Sequence, residues 1–135
     1  GDVLHTGIVA GGPDRQAVIS YEPVGVVGAI TPFNYPVNLL CHKLGPALAA
    51  GNAIVAKPSP KAPLAAQMLI DLCQKAGAPE GLIQIVQGDA QAAIALAQSP
   101  IDLLSFTPLV AVRYFPAAIF PPFQNPQTSL FYTLS

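Results

Sequence analysis

The chain has no tryptophan, one methionine, two cysteines and two histidines, and only 10% of its 135 residues are charged. Each scarcity removes a class of function. Six basic against seven acidic residues leave a net charge of −1, and the lysines and arginines are scattered, so no basic patch marks a nucleic-acid partner. Cys41 and Cys73 lack CxxC spacing and lie inside helical patterns, which reads as reduced core thiols in a cytoplasmic protein rather than a disulfide. His5 and His42 have no cysteine or carboxylate arrangement that recommends catalysis, and no metal site is expected. No uncharged apolar run reaches the roughly 18 residues needed to span a bilayer. The first residues, GDVLHTGIVAGGPD, lack the basic start and apolar core of a signal peptide. The expectation is a cytoplasmic protein without a membrane or nucleic-acid partner.

What is plentiful is apolar character and proline: 52% of residues are hydrophobic and 15 are proline, with a mean hydropathy of +0.49. A free-standing domain of this length is usually more polar. Either other structure covers much of its surface or part of the chain is not native sequence.

A strand-like segment, Ala17 to Glu22, ends at Pro23, and the run Val24 to Ile30 follows without alternation, as in a strand buried on both faces. Pro36 suits a first helical turn, and Val37, Cys41, Leu44 and Leu48 form the expected buried stripe of that helix, with a kink at Gly45-Pro46 and a stop at Gly51-Asn52. A short strand, Ala53 to Ala56, delivers Lys57. A second helix with Leu64, Met68, Leu72 and Ala76 on its buried stripe ends at Gly77. Ile83 to Val86 is a third strand of the repeat, Asp89 caps a helix to about Gln98, and Ile101 to Phe106 is a fourth strand. The alternation predicts an α/β fold, a parallel sheet with Rossmann-like βα units.

Pro108 to Ser135 differ in texture: Arg113 is their one charge, and they hold five prolines and six of the chain's ten Phe and Tyr residues. No helix or strand is expected there, nor packing against the α/β layer. The expected organisation is a flanking segment over 1–23, a nucleotide-binding α/β unit over 24–107, and a tail over 108–135 read as a shift of reading frame.

In open α/β sheets ligands sit at the carboxyl ends of the strands. The residues leaving those ends are TPFN, KPSP, QGD and a single threonine, Thr107. Asn34 at a strand-to-helix junction also suits a helix cap, Lys57 a solvated charge, and Gly88 a turn. No GxGxxG follows any strand, so the ordinary dinucleotide fingerprint is missing.

Taken in order, EPVGVVGAITPFNYP, HKLGPALAAGNAIVAKPS, GAPEGLIQIVQGD and DLLSFT closely resemble the cofactor domain of the NAD(P)-dependent aldehyde dehydrogenase superfamily, from about Tyr21 to Thr107. The resemblance implies oxidation of an aldehyde by NAD or NADP through a cysteine thioacyl intermediate. It makes Asn34 the amide that stabilises the oxyanion, and sets Ile30, Thr31, Pro32 and Phe33 beside the nicotinamide. Lys57 is implied at the adenosine ribose and Gly88 beside the adenine, with Phe106-Thr107 at the start of the family's FTGS motif, which continues here as Pro108-Leu109. Family members that prefer NAD commonly carry a glutamate where Pro60 stands, so Lys57 and Ser59 are the implied acceptors of a 2′-phosphate. The nucleophilic cysteine and general-base glutamate fall beyond Thr107 in the family pattern, and neither Cys41 nor Cys73 replaces them. The expectation is a part of a family member, inactive as given, whose whole parent is a homo-oligomer. A non-catalytic nucleotide-binding or oligomerising paralogue and a related acyl-phosphate reductase are the alternatives.

Overall fold

The computed structural model describes residues 2–5, 16–107 and 129–132. Two short strands, β1 (Asp2–His5) and β2 (Gln16–Ile19), pair antiparallel in a sheet of their own. The main sheet is built from β3 (Val26–Ile30), β4 (Ala53–Lys57), β5 (Ile83–Ile85), β6 (Leu103–Phe106) and β7 (Ser129–Tyr132), with spatial order β5-β4-β3-β6-β7 and all pairings parallel. Helices α1 (Pro36–Ala49), α2 (Pro63–Lys75) and α3 (Ala90–Gln98) connect the strands. The α/β class and parallel sheet expected from the alternating pattern are what the chain adopts.

Burial divides the sheet into two faces. Val27, Ala29, Ile54 and Ala56 pack with Leu40, Leu44 and Ala47 of α1 and Ala66 and Ile70 of α2. Ile30, Leu104 and Phe106 face the other way, with Leu96 and Ala97 of α3. Residues of β3 alternate between two covered faces, which is why its sequence shows no polar alternation. Leu40, Ile54, Ile70, Ile83 and Leu104 are the largest fully buried aliphatic side chains, where truncation to alanine typically costs about 2–5 kcal/mol.

The helix stripes differ from those expected. In α1, Val37 and Cys41 are exposed, while Leu40, Lys43, Leu44 and Ala47 are buried. In α2, Leu64, Met68 and Leu72 are exposed and Ala66 and Ile70 meet the sheet. Both helices carry two apolar arcs, and the arc that faces the core mixes large aliphatics, Leu40, Leu44 and Ile70, with Ala47 and Ala66. Helix α1 runs unbroken through Pro46. Pro46 has no N–H for the His42 carbonyl. Helix α1 ends with Gly51 N–H donating to Leu48 O and Asn52 N–H to Ala47 O, both near 3 Å, and α2 ends with the same pair of bonds at Gly77 and Ala78. Asp89 caps α3, its Oδ1 accepting from Gln91 N–H at 2.9 Å.

The tail departs from expectation as well. Ser129–Tyr132 forms the parallel edge strand beside β6, in register Leu103↔Ser129 to Phe106↔Tyr132. Its sequence, SLFY, is free of the prolines that punctuate the preceding segment and is rich in strand-favouring aromatics. Residues 108–128, including the Pro108-Leu109 departure from the family motif, lie outside the described residues.

The amino ends of the central strands are locked by side chains. Asn52 Oδ1 accepts from Gly25 N–H at 2.9 Å and Asp102 Oδ2 from Val26 N–H at 2.8 Å. Gly25 has φ +119°, and a Cβ there would collide with the Asp102 carboxylate.

Candidate functional site at the carboxyl edge of the sheet

Strand order reverses at β3: the chain leaves β3 for β4 on one side, while β6 returns on the other. Such a switch point opens a crevice beyond the strand ends. Ile30 is in register with Lys57 on one flank and Phe106 on the other. Beyond it, Thr31 N–H donates to Lys57 O at 3.2 Å, and Thr107 N–H donates to Ile30 O at 3.1 Å. The exits of three strands are thus tied together within one residue of each other.

Within this edge the expected residues have different settings. Thr31, Pro32 and Thr107 are buried, Phe33 is 39% exposed, and Asn34 is half-buried. Asn34 does not cap α1. The N-cap is Tyr35, in the left-handed conformation with φ 50° and ψ 53°, and it makes no side-chain cap bond. Proline at 36 disfavours the helical region for its predecessor, so the chain turns sharply at Tyr35 and Asn34 stays in the loop. Its Oδ1 is buried without a hydrogen-bond partner. That oxygen has accepting capacity left for a donor from outside the described residues.

Lys57 is only 4% exposed. Burial lowers its pKa from 10.5, and the charge of Asp89 at the start of α3 opposes that shift. Ser59 Oγ accepts from Lys61 N–H at 3.3 Å, and Pro60 is exposed. Lys61, which carried no expected role, holds its Nζ 4.8 Å from the centre of the Phe33 ring, linking the loops after β3 and β4 by a cation–π contact. Gly88 has φ +149°, and a Cβ there would come within 2.6 Å of Ala92 Cβ. The close packing of α3 onto this turn therefore requires glycine whatever lies outside it. Ile30 and Phe106 are buried in the core cluster beside α3.

Sequence reasoning missed Lys43. It sits on the buried stripe of α1, 7% exposed, with Nζ donating to Ser105 Oγ of β6 at 2.7 Å. Burial pushes its pKa down from 10.5 to about 8. The signal was its spacing from Leu40, Leu44 and Ala47, visible once the stripe is set correctly. Both cysteines are free, Cys41 exposed on α1 and Cys73 half-buried on α2. Among the described residues no group of three or more His, Cys, Asp or Glu side chains is placed to hold a metal. No described helix is long and apolar enough to cross a membrane.

Comparison with known proteins fits this architecture. The profile described as the aldehyde dehydrogenase family matches residues 2–113, and the chain belongs to that family. It is 50% identical over 108 residues to the NADP/NAD-dependent aldehyde dehydrogenase PuuC of Escherichia coli (strain K12), covering 78% of this chain and 22% of that protein. It is 54% identical over 79 residues to 3-sulfolactaldehyde dehydrogenase of Priestia aryabhattai, covering 58% of this chain and 17% of that protein. Betaine aldehyde dehydrogenase from Staphylococcus aureus, solved in complex with NAD+, superposes with a TM-score of 0.74 at 34% identity, over 84% of this chain and 22% of that one. The chain spans about a fifth of the length of these relatives.

Proposed function

We propose that the carboxyl edge of this sheet is part of the nucleotide and aldehyde site of an NAD(P)-dependent aldehyde dehydrogenase, which oxidises its substrate through a cysteine thioacyl intermediate. The observation that carries the reading is the convergence of Thr31, Asn34, Lys57 and Thr107 at one switch point, tied by the Thr31–Lys57 and Thr107–Ile30 bonds. NAD(P)+ supplies the hydride acceptor. Lys57 is the cation for the ribose end, and Thr31 and Pro32 line the nicotinamide side, both buried, with Thr31 held against the β4 exit. Asn34 is the oxyanion donor through its Nδ2–H, a role supported by an amide that does not cap α1 and stays in the loop beyond β3. A preorganised donor of this kind contributes about 2.7–4 kcal/mol to the transition state.

The same reading brings an aldehyde substrate, a homo-oligomeric whole enzyme and a cytoplasmic setting, the last supported by two free thiols. It also holds that this chain alone does not turn aldehydes over, because Cys41 and Cys73 lie within helices and not at the strand exits. Two measurements on the purified chain test it. Saturation-transfer NMR is expected to detect NAD+ or NADP+ in contact with the protein, and absence of contact with either contradicts the site. An aldehyde panel is expected to give no NADH or NADPH. Formation that survives Cys41→Ala and Cys73→Ala overturns the inactivity.

A further inference from the structure

On the face of the sheet that carries α1, a cavity of about 790 Å³ lies between that helix and β6. Leu39, Pro46 and Ala47 of α1 form one wall, and Val27, Leu103 and Ser105 of the strands form the floor. The Lys43 amine is part of the lining, anchored at 2.7 Å to the Ser105 hydroxyl. Lys57 and Asp89 do not line this cavity, since Lys57 follows Ala56 onto the α3 face; Thr107 does, so the cavity adjoins the edge described above, but the Lys43 amine has no part in the function proposed there.

The geometry points to Lys43 as a carbonyl-reactive amine that condenses reversibly with a small apolar aldehyde admitted to this cavity. The reaction is ordinary imine chemistry. The neutral amine adds through its lone pair to the aldehyde carbon, giving a carbinolamine. One of the amine's protons passes to the former carbonyl oxygen; the nitrogen then loses its one remaining proton and the carbon its hydroxyl, so that one water leaves and a C=N bond remains. No oxidant or reductant is consumed. Three features favour this site. The apolar lining suits an alkyl or aryl chain, the hydroxyl of Ser105 is in contact with the nitrogen for proton transfer, and burial keeps a larger share of the amine neutral near neutral pH. Cys41 and His42, both from α1, are the other titratable groups on the wall. Among the described residues, the strands contribute no ionisable side chain to it and no carboxylate lines the cavity.

The test is reductive trapping of the full chain with hexanal and cyanoborohydride at about pH 7, followed by peptide mapping. Lys57, Lys61 and Lys75 serve as internal controls, being the chain's other lysines. Labelling at Lys43 is expected to exceed that at Lys61 and Lys75 by at least about tenfold, and to fall to parity in denaturing guanidinium. Lys43→Arg, which keeps the charge and removes the nucleophile, is expected to abolish the main adduct. Equal or weaker labelling of Lys43 in the native chain overturns the inference, as does a main adduct that persists in Lys43→Arg. Neither result depends on nucleotide, so failure here is distinct from failure of the aldehyde dehydrogenase reading.

Discussion

Thr31 N–H meets the carbonyl of Lys57 at 3.2 Å, extending the ladder between β3 and β4 one residue past their last register pair, Ile30↔Lys57. The bond uses the backbone of Lys57, leaving its ammonium to act on a ligand. Lys57→Met should therefore preserve the loop while removing the cation. We expect NAD+ binding to weaken by about tenfold or more, since a charge-assisted hydrogen bond contributes about 1.5–3 kcal/mol, with no loss of folding stability. A titration of both proteins beside their urea unfolding curves separates the two effects.

Lys43 makes stability depend on pH. In the unfolded chain its amine holds a proton up to about 10.5, and in the folded chain only up to about 8. Between those values the unfolded state binds more protons, so stability rises with pH across that window. The full difference corresponds to about 3 kcal/mol. Below about pH 8 the burial cost is fully present. Lys43→Met should flatten the rise and stabilise the protein near neutral pH by about 1–2 kcal/mol, the loss of the Ser105 bond offsetting part of the gain. Urea midpoints measured from neutral to alkaline pH check both the sign and the window.

At the opposite end of the sheet, Asp102→Ala removes the acceptor for Val26 N–H and should cost about 1–2 kcal/mol. Gly25→Ala meets both a strained φ and the Asp102 carboxylate, and should cost more than about 3 kcal/mol. Because the two residues touch, the double variant should be more stable than the sum of the singles requires. Strict additivity in denaturant unfolding would contradict the contact.

We expect cofactor choice to rest on the loop after β4. Pro60 offers neither an acceptor nor a negative charge, Lys57 is buried beside this loop, and Lys61 lies over Phe33 at its mouth. We expect NADP+ to bind as well as NAD+ within about a hundredfold, or about 2.7 kcal/mol. Competition between the two cofactors for the chain measures the ratio directly.

Much of this was legible in the residues themselves. The run expected over Val24 to Ile30 forms a strand only from Val26, whose two faces are covered, while Val24 and Gly25 lie exposed before it; parallel strands bring their carboxyl ends together, so motifs distant in sequence fall on one edge. Helix faces were less legible. Leu64, Met68 and Leu72 form as good an apolar stripe as Ala66 and Ile70, yet it is the latter that meet the sheet. The same ambiguity hid Lys43, whose partner Ser105 is 62 residues away. Ser129–Tyr132 reads as a strand only when an edge is available beside β6.

The most direct test of the proposed site is an amide chemical-shift titration of the chain with NAD+. The account predicts shifts concentrated at Thr31, Asn34, Lys57 and Thr107, smaller at Gly88, and absent from Lys43 and Ser105. Shifts centred on Lys43 and Ser105, or none at ligand concentrations of about 10 mM, where even a site with a free energy of only about −4 kcal/mol would be mostly filled, would contradict it.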